Sequence, residues 1–337
     1  MQFADDDGGS GLALLNDWQR SFPCVERPFA AVAAASGSSE QVVLASYRRW
    51  LAAGVISRIG GVWNAGAGGA AMLCAFAVPP QRLEDVAAAV SAEPGVNHNY
   101  EREHGFNLWF VVTGRDRASI DATLARLERA CALEALRLPM RRAYRIDLGF
   151  DLRERLAPAG IAARAVTPAV QQDDLALAAC LEDGLPLTER PFDEWAHRCG
   201  RSTAEVLATL RCWLSGGTLR RFGVIVRHHE AGFAHNAMTV FDVPDGVVDA
   251  CGAKLAAQDG VTLAYCRERA PLWRFNLYCM VHGRDRGEVM RAIERAIEGA
   301  GLNPFEHRVL FSRRRFKQRG GRYFSAPQPQ PAYCHAG

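Results

Sequence analysis

The chain has 337 residues, 49% of them hydrophobic and 23% charged, with a formal net charge of +3. That length suggests two or three domains of ordinary globular make-up and excludes a fibre or a wholly disordered chain. The near-neutral balance also argues against a dedicated DNA binder, which more often carries a strongly basic face. The charge is nonetheless uneven: His307 to Tyr323 holds seven Arg or Lys and no acid.

No apolar run reaches the roughly 18 residues that a membrane span requires. The start carries Asp5, Asp6 and Asp7 where a secretory signal would need a basic stretch and an apolar core. A cytoplasmic protein is therefore expected. The ten cysteines occur singly, without a C-x-x-C pair. Zinc-ribbon and thioredoxin-like readings lack their spacing, no metal site is expected, and the thiols read as small packed hydrophobes.

In chain order, Leu12–Phe22 has helical apolar spacing. Pro28–Ser36 follows, with Pro at its first position and Gly37 as its stop. Ser39–Ala53 opens on a serine cap. Helix, short glycine-containing turn, helix is a helix-turn-helix signature. Next come a strand (Val55–Trp63), a strand (Ala70–Val78), a helix (Pro80–Ala92), strands Gly95–Arg102 and Phe106–Thr113, a helix (Asp116–Cys131) and a strand (Ala135–Arg145).

The same order then recurs. Glu26-Arg27-Pro28-Phe29 reappears as Glu189-Arg190-Pro191-Phe192, Trp50 as Trp213, and Arg58-Ile59-Gly60 as Arg221-Phe222-Gly223, all at one offset. Beyond two small insertions, Tyr100 matches Tyr265 and Asn107-Leu108 matches Asn276-Leu277; Gly114-Arg115-Asp116-Arg117 matches Gly283-Arg284-Asp285-Arg286. A collinear match of this length marks a tandem duplication. The fold class is α+β. Helix-turn-helix (winged-helix-like) segments are expected at 10–62 and 173–225, and ferredoxin-like βαββαβ domains at 63–150 and 226–324. A linker at 151–172 and a disordered tail at 325–337 complete the chain. The second half's last strand is expected to end at Phe311. Each sheet has one face covered by its two helices, so its other face must meet a partner sheet or a ligand. The two halves supply that partner as an intramolecular pseudo-dimer, or a dimer of chains does so.

Each second helix of the helix-turn-helix pairs carries a glutamate near its start, Glu40 or Glu205. A carboxylate there opposes phosphate attraction, so DNA is not an expected partner and the helices read as a structural, dimerising element.

The layout resembles the Lrp/AsnC regulators. Narrower segments, Val96-Asn97-His98-Asn99-Tyr100-Glu101-Arg102-Glu103-His104, Arg220 to His229 and Ser312 to Phe324, resemble the siroheme decarboxylases of the heme d1 and alternative heme pathways, in their fused two-subunit form. The resemblance implies a carbon-carbon lyase that removes two acetate carboxylates from siroheme, giving 12,18-didecarboxysiroheme. It implies no added cofactor, since the iron belongs to the substrate. It also implies a second homologous subunit pair as a partner in some members. Two alternatives remain at this point: a transcription regulator that senses a tetrapyrrole, and a non-catalytic siroheme-binding scaffold.

Siroheme is a flat macrocycle with eight carboxylates, and arginine suits carboxylate pairing. Candidate substrate-binding residues are Tyr100, Arg102, Arg221, Tyr265, Arg267, Arg269, Trp273, Arg313, Arg315 and Lys317. Decarboxylation needs a proton donor, a role histidine fills near neutral pH, with an arginine to stabilise developing charge. Arg227, His228 and His229 are the first candidates, because the first half has Asn64-Ala65-Gly66 at that place; His104 and Tyr100, on the hairpin of the first half, are the second. A histidine is also a candidate ligand of the substrate iron. On this reading, His228→Ala abolishes turnover while siroheme remains bound; wild-type turnover by that variant removes His228 from the mechanism.

Overall fold

The computed structural model describes residues 10–64, 66–146, 167–226 and 235–324. Arg227, His228 and His229, most of the expected linker and the expected tail lie outside the described residues. The first half comprises α1 (Ser10–Asn16), α2 (Pro28–Ser36), α3 (Glu40–Ala52) and β1 (Ile56–Trp63). It continues with β2 (Ala70–Phe76), α4 (Leu83–Ala92), β3 (Val96–Arg102), β4 (Leu108–Gly114), α5 (Arg117–Cys131) and β5 (Leu136–Ile146). The second half repeats it: α6 (Leu175–Asp183), α7 (Pro191–Cys199), α8 (Thr203–Gly216), β6 (Leu219–Val226), β7 (His235–Phe241), α9 (Val248–Ala256), β8 (Val261–Arg267), β9 (Leu277–Gly283), α10 (Arg286–Ala300) and β10 (His307–Gln318). Among the described residues, no helix is long and apolar enough to cross a membrane.

Local signals in the sequence are used as expected. Pro28 and Pro191 start their helices, Gly37 and Gly200 end them in the left-handed region, and Ser39 and Ser202 accept from the backbone of Val42 and Glu205 at 3.3 Å. The exception is α1, which stops at Asn16 rather than Phe22. Residues 17–22 leave the helix to run beside β6, where Val224 N donates to Trp18 O at 2.9 Å and Phe22 N to Phe222 O at 3.1 Å.

The helical segments of the two halves form one domain. Strands β1 and β6 pair antiparallel with Gly60 opposite Gly223. A Cβ on Gly223 would lie 2.3 Å from Gln19 O, and one on Gly60 2.7 Å from Leu181 O. Those glycines let the chain before β1 close over β6 and the chain before β6 close over β1. A single core fills the space between the halves, with Phe22 and Phe192 both packed on Phe222 at 6.0 and 6.3 Å. At the surface the repeated motif pairs with itself: Arg27 meets Glu189 at 3.2 Å and Arg190 meets Glu26 at 2.9 Å. Glu40 is engaged by Arg27, and Glu205 by the Ser202 cap.

The remaining strands form a closed eight-stranded barrel in the order β10-β3-β4-β2-β5-β8-β9-β7. Within each half the order is the expected ferredoxin-like one. Closure comes from exchange, since β5 pairs with β8 of the second half and β10 with β3 of the first. The second half's last strand therefore runs past Phe311 to Gln318, and the basic run builds the barrel wall. Arg142 reaches Asp249 on α9 at 2.6 Å, and Arg314 reaches Glu84 of α4. Arg145 donates to Ala256 O at 3.1 Å, and Lys317 to Ser91 O and Glu93 O at 2.6 and 2.8 Å. Each last strand thus ends with a cation on the C-terminal carbonyls of the other half's first barrel helix, where the helix dipole favours it.

All neighbouring strands are antiparallel. Going round the barrel, β3 and its counterpart β8 therefore point the same way. The pseudo-twofold axis lies along the barrel axis, and matched residues of the two halves stand at matched depths. The outer faces are covered by α4 and α5, and by α9 and α10, over separate apolar cores. Cys74, Cys131, Cys266 and Cys279 are buried in those cores as free thiols.

Residues 319–324 continue from β10 as a strap between barrel and helical domain. Arg319 N donates to Asn97 O at 2.8 Å and Arg322 N to Thr113 Oγ1 at 3.2 Å. Tyr323 N and Phe324 N then donate to the buried Glu182 carboxylate at 2.7 and 3.2 Å. Gly68 and Gly69, both at positive φ, seat these two rings: a Cβ on Gly69 would lie 2.6 Å from Tyr323. The glycine-rich loop provides bare backbone for an aromatic seat.

Gly223→Ala is expected to cost about 2 kcal/mol or more, because the obstacle is backbone. Gly246→Ala, with open space around it, should change stability by about 0.5 kcal/mol or less. Urea midpoints of the two variants check this; equal midpoints would refute the close approach.

A candidate active site in the barrel lumen

Alternation sends every second strand residue to the barrel interior. On β3 the inward set is His98, Tyr100 and Arg102. Asn99 points the other way and donates to Ala87 O at 3.0 Å. The inward set is Leu263, Tyr265 and Arg267 on β8, Tyr278, Met280 and His282 on β9, and Trp109, Val111 and Thr113 on β4.

The lumen is sealed at the end where β3 turns into β4 and β8 into β9. Trp109, Trp273, Phe275 and Tyr278 fill it. Trp273 lies 5.1 Å from both Trp109 and Phe275, and its Nε1 donates to Tyr278 Oη at 2.7 Å, which donates on to Phe275 O at 3.1 Å. Toward the other end, His98, Tyr100, Tyr265 and His282 face inward yet remain partly accessible. The lumen is thus closed at the plug end, and its other end lies beside the strap, toward the helical domain.

Two buried arginines define its middle. Arg102 Nη1 donates to Leu310 O at 3.0 Å and Arg267 Nη1 to Leu138 O at 2.9 Å. Each arginine is anchored on the exchanged strand of the other half. Arg102 sits over the Tyr100 ring at 5.6 Å, and Arg267 over Tyr265 at 4.8 Å and Tyr278 at 5.8 Å. Both Nε groups are buried without a hydrogen-bond partner within the protein, which is costly unless a ligand supplies one. Among the described residues, no acidic side chain takes an inward position on the eight strands.

This environment governs ionisation. Burial raises the Tyr100 and Tyr265 phenols, opposed by the neighbouring guanidinium charges. His98 and His282 are pushed down to about 4, by burial first and then by the charge of Arg102. His282 Nδ1 lies 3.0 Å from Thr262 Oγ1. At neutral pH the lumen thus combines fixed cations, neutral imidazoles, phenols and aromatic walls, a match for a flat molecule bearing several carboxylates.

Of the residues expected from sequence, Tyr100, Arg102, Tyr265 and Arg267 converge here. Arg315 joins them at the mouth, opposite Tyr100 in register and close enough to act on its phenol. Trp273 belongs to the plug. The others lie elsewhere. Arg221 is buried in the helical domain and donates to Gln19 O at 2.5 Å. Arg269 pairs with Asp242 and Asp245 at 3.0 and 2.6 Å. Arg313 is on the outer wall near Glu101 and Glu103, and Lys317 caps α4. His104 stands outside the plug, edge-on to Trp273 at 5.2 Å, in a shallow cavity of about 360 Å³, and its Nδ1 accepts from Phe106 N at 3.0 Å.

Two family models match this chain, each of them twice. The AsnC-like ligand-binding domain covers 66–145 and 230–317, and the siroheme decarboxylase NirDL-like helix-turn-helix domain covers 12–56 and 174–220. The siroheme decarboxylase NirDL subunit of Paracoccus denitrificans is 42% identical over 92% of this chain and 95% of its own. The chain belongs to the siroheme decarboxylase NirDL family. The siroheme decarboxylase of Hydrogenobacter thermophilus is 32% identical over 93% of this chain and 94% of its own. A crystal structure of the siroheme decarboxylase NirDL superposes with a TM-score of 0.68 at 28% identity, covering 94% of this chain and 95% of that one. A second, solved with an iron-uroporphyrin III analogue, gives 0.65 over 94% of each chain. Separate NirD and NirL subunits of Stutzerimonas stutzeri, 50% and 45% identical, each span 41–42% of this chain. A Paracoccus pantotrophus NirH subunit is 38% identical over 44% of it.

In this NirDL-family chain the sequence reading passed over His98 and His282. The signal was present, since His98, Tyr100 and Arg102 share one parity on a strand. Neutral buried imidazoles make stability pH-dependent. The unfolded chain holds its histidines near 6.5 and the folded chain holds these two near 4, so stability is full above about 6.5 and is lost as pH falls toward 4. The His98→Gln, His282→Gln double variant should show a flatter dependence of urea midpoint on pH across that window. An unchanged slope would place the acid sensitivity elsewhere.

Proposed function

We propose that this chain removes two acetate carboxyl groups from siroheme in the barrel lumen, giving 12,18-didecarboxysiroheme in heme d1 biosynthesis. The observation that carries the reading is the pair of buried, cross-anchored arginines in a lumen that, among the described residues, has no acid at an inward strand position. Family membership agrees with it.

The balance of the reaction sets what the residues must supply. Each acetate, R–CH2–COO⁻, takes up one proton, breaks its C–C bond and leaves as CO2, and the ring keeps a methyl group. Two losses consume two protons. Arg102 and Arg267 clamp substrate carboxylates, and the aromatic plug stops the leading edge of the macrocycle. His98 and His282 are neutral in the empty lumen. A bound polycarboxylate would raise their affinity for protons, which suits them to deliver a proton to the ring or to the nascent methylene. The tyrosines complete the hydrogen-bonding wall. No cofactor is added, and the iron arrives as part of the substrate. A second homologous subunit, of the kind seen among the relatives, is a candidate partner.

The regulator reading fits less well, because a carboxylate stands in the first turn of each would-be recognition helix, Glu40 and Glu205, where it opposes phosphate attraction. Anaerobic incubation of the purified chain with siroheme, with mass spectrometry of the extracted tetrapyrrole, is expected to show loss of two carboxyl groups. Siroheme that binds but returns unchanged would support a scaffold; no binding at all would return the chain to the regulators.

A further inference from the structure

We propose that the barrel's pseudo-twofold axis is matched to the one symmetric edge of the macrocycle, so that each half of the chain serves one of the two acetates. The inference rests on the siroheme reading above.

The protein side is geometric. The axis runs along the barrel, so Tyr100 and Tyr265 face each other at one depth. Arg102 and Arg267 face each other one inward step, about 7 Å, nearer the plug. The anchoring is reciprocal, on Leu310 O and Leu138 O. The histidines are not related by this axis: the counterpart of His98 is Leu263, and that of His282 is Thr113. Each half nonetheless supplies one inward imidazole, both on the mouth side of the arginines and both acted on by Arg102. The two halves have thus arrived at the same complement, tyrosine, arginine and histidine, with the histidine placed differently in each.

The substrate side is chemical. Around siroheme the side chains alternate acetate and propionate until the fourth ring, which is reversed. Positions 12, 13, 17 and 18 therefore read acetate, propionate, propionate, acetate. A half-turn about the line through meso carbon 15 exchanges 12 with 18 and 13 with 17. The opposite edge, positions 2, 3, 7 and 8, has no such symmetry. The two acetates lost in the proposed reaction are the pair this half-turn relates.

With carbon 15 leading into the lumen, the propionates at 13 and 17 reach the arginine level. The acetates at 12 and 18 then stand beside the tyrosines and histidines, one in each half. That division places the tight ion pairs on carboxylates that are retained. An arginine clamp on the reacting acetate would stabilise the charge that has to be lost. Tyr100 and Tyr265 are then the groups that face the reacting acetates, and Arg102 and Arg267 set the depth and roll of the ring.

The test compares Tyr100→Phe with Tyr265→Phe, and Arg102→Lys with Arg267→Lys. Siroheme binding and far-ultraviolet circular dichroism confirm that each variant is folded and loaded. Products are counted by mass spectrometry, and the site of loss is assigned by NMR of the methyl esters. Each tyrosine variant is expected to accumulate a monodecarboxylated product, with the second loss slowed 10-fold or more. The two variants should give opposite regioisomers, one cut at 12 and the other at 18. The same regioisomer from both, equal slowing of both losses in each, or wild-type products from all four variants would overturn the proposal. So would a wild-type chain that removes only one acetate. Failure of the siroheme reading looks different: the wild-type chain returns siroheme with all its carboxyl groups.

Discussion

Everything inside the barrel depends on the exchange of its last strands. A four-stranded ferredoxin-like sheet has two open edges, and each edge carries unpaired backbone groups that must find partners. Here β5 pairs with β2 of its own half and runs on to pair with β8, and β10 pairs with β7 of its own half and runs on to pair with β3. That single constraint satisfies the edges, brings the two inner sheet faces together and encloses a space that neither half bounds alone. It also explains the anchoring of the arginines. Arg102 and Arg267 can be buried because each finds a carbonyl on the last strand of the other half. A buried guanidinium without that partner would cost several kcal/mol.

The duplication and the secondary structure were legible because they rest on local rules. Proline starts, glycine stops and serine caps act within a turn or two, and the repeat displays each of them twice. The last strand was misjudged because its rule is not local. Read alone, Arg313 to Lys317 looks like a ligand-binding tail. In the fold, Arg314 answers Glu84 and Glu101, Lys317 answers the end of α4, and Phe316 packs on the apolar core of the first half. Those partners lie some two hundred residues away in sequence, where charge counting does not reach. The shortening of α1 has the same origin, since residues 17–22 are claimed by the distant β6.

The site was half legible. Tyr100, Arg102, Tyr265 and Arg267 were chosen for their chemistry and repeat position, and the barrel gathers them. Arg221, Arg269, Arg313 and Lys317 had the same chemistry but face structural partners, and composition cannot distinguish an arginine that caps a carbonyl from one that awaits a ligand. His98 needed only the strand parity it shares with Tyr100 and Arg102. His282 was hidden more deeply, because its counterpart Thr113 removes the repeat as a guide. His104 attracted attention as a histidine near the motif, yet the hairpin carries it past the plug to the outer surface.

The reciprocal anchoring has a consequence for concentration. In a version of this protein made of two separate chains, the lumen would exist only while the chains were associated, and it would vanish on dilution according to their dissociation constant. Joining the halves makes their encounter intramolecular, at an effective concentration set by the connecting segment. Assembly of the site then no longer depends on how much protein the cell makes, nor on equal synthesis of two partners. A chain expressed at a few copies would carry the same intact lumen as one expressed at thousands.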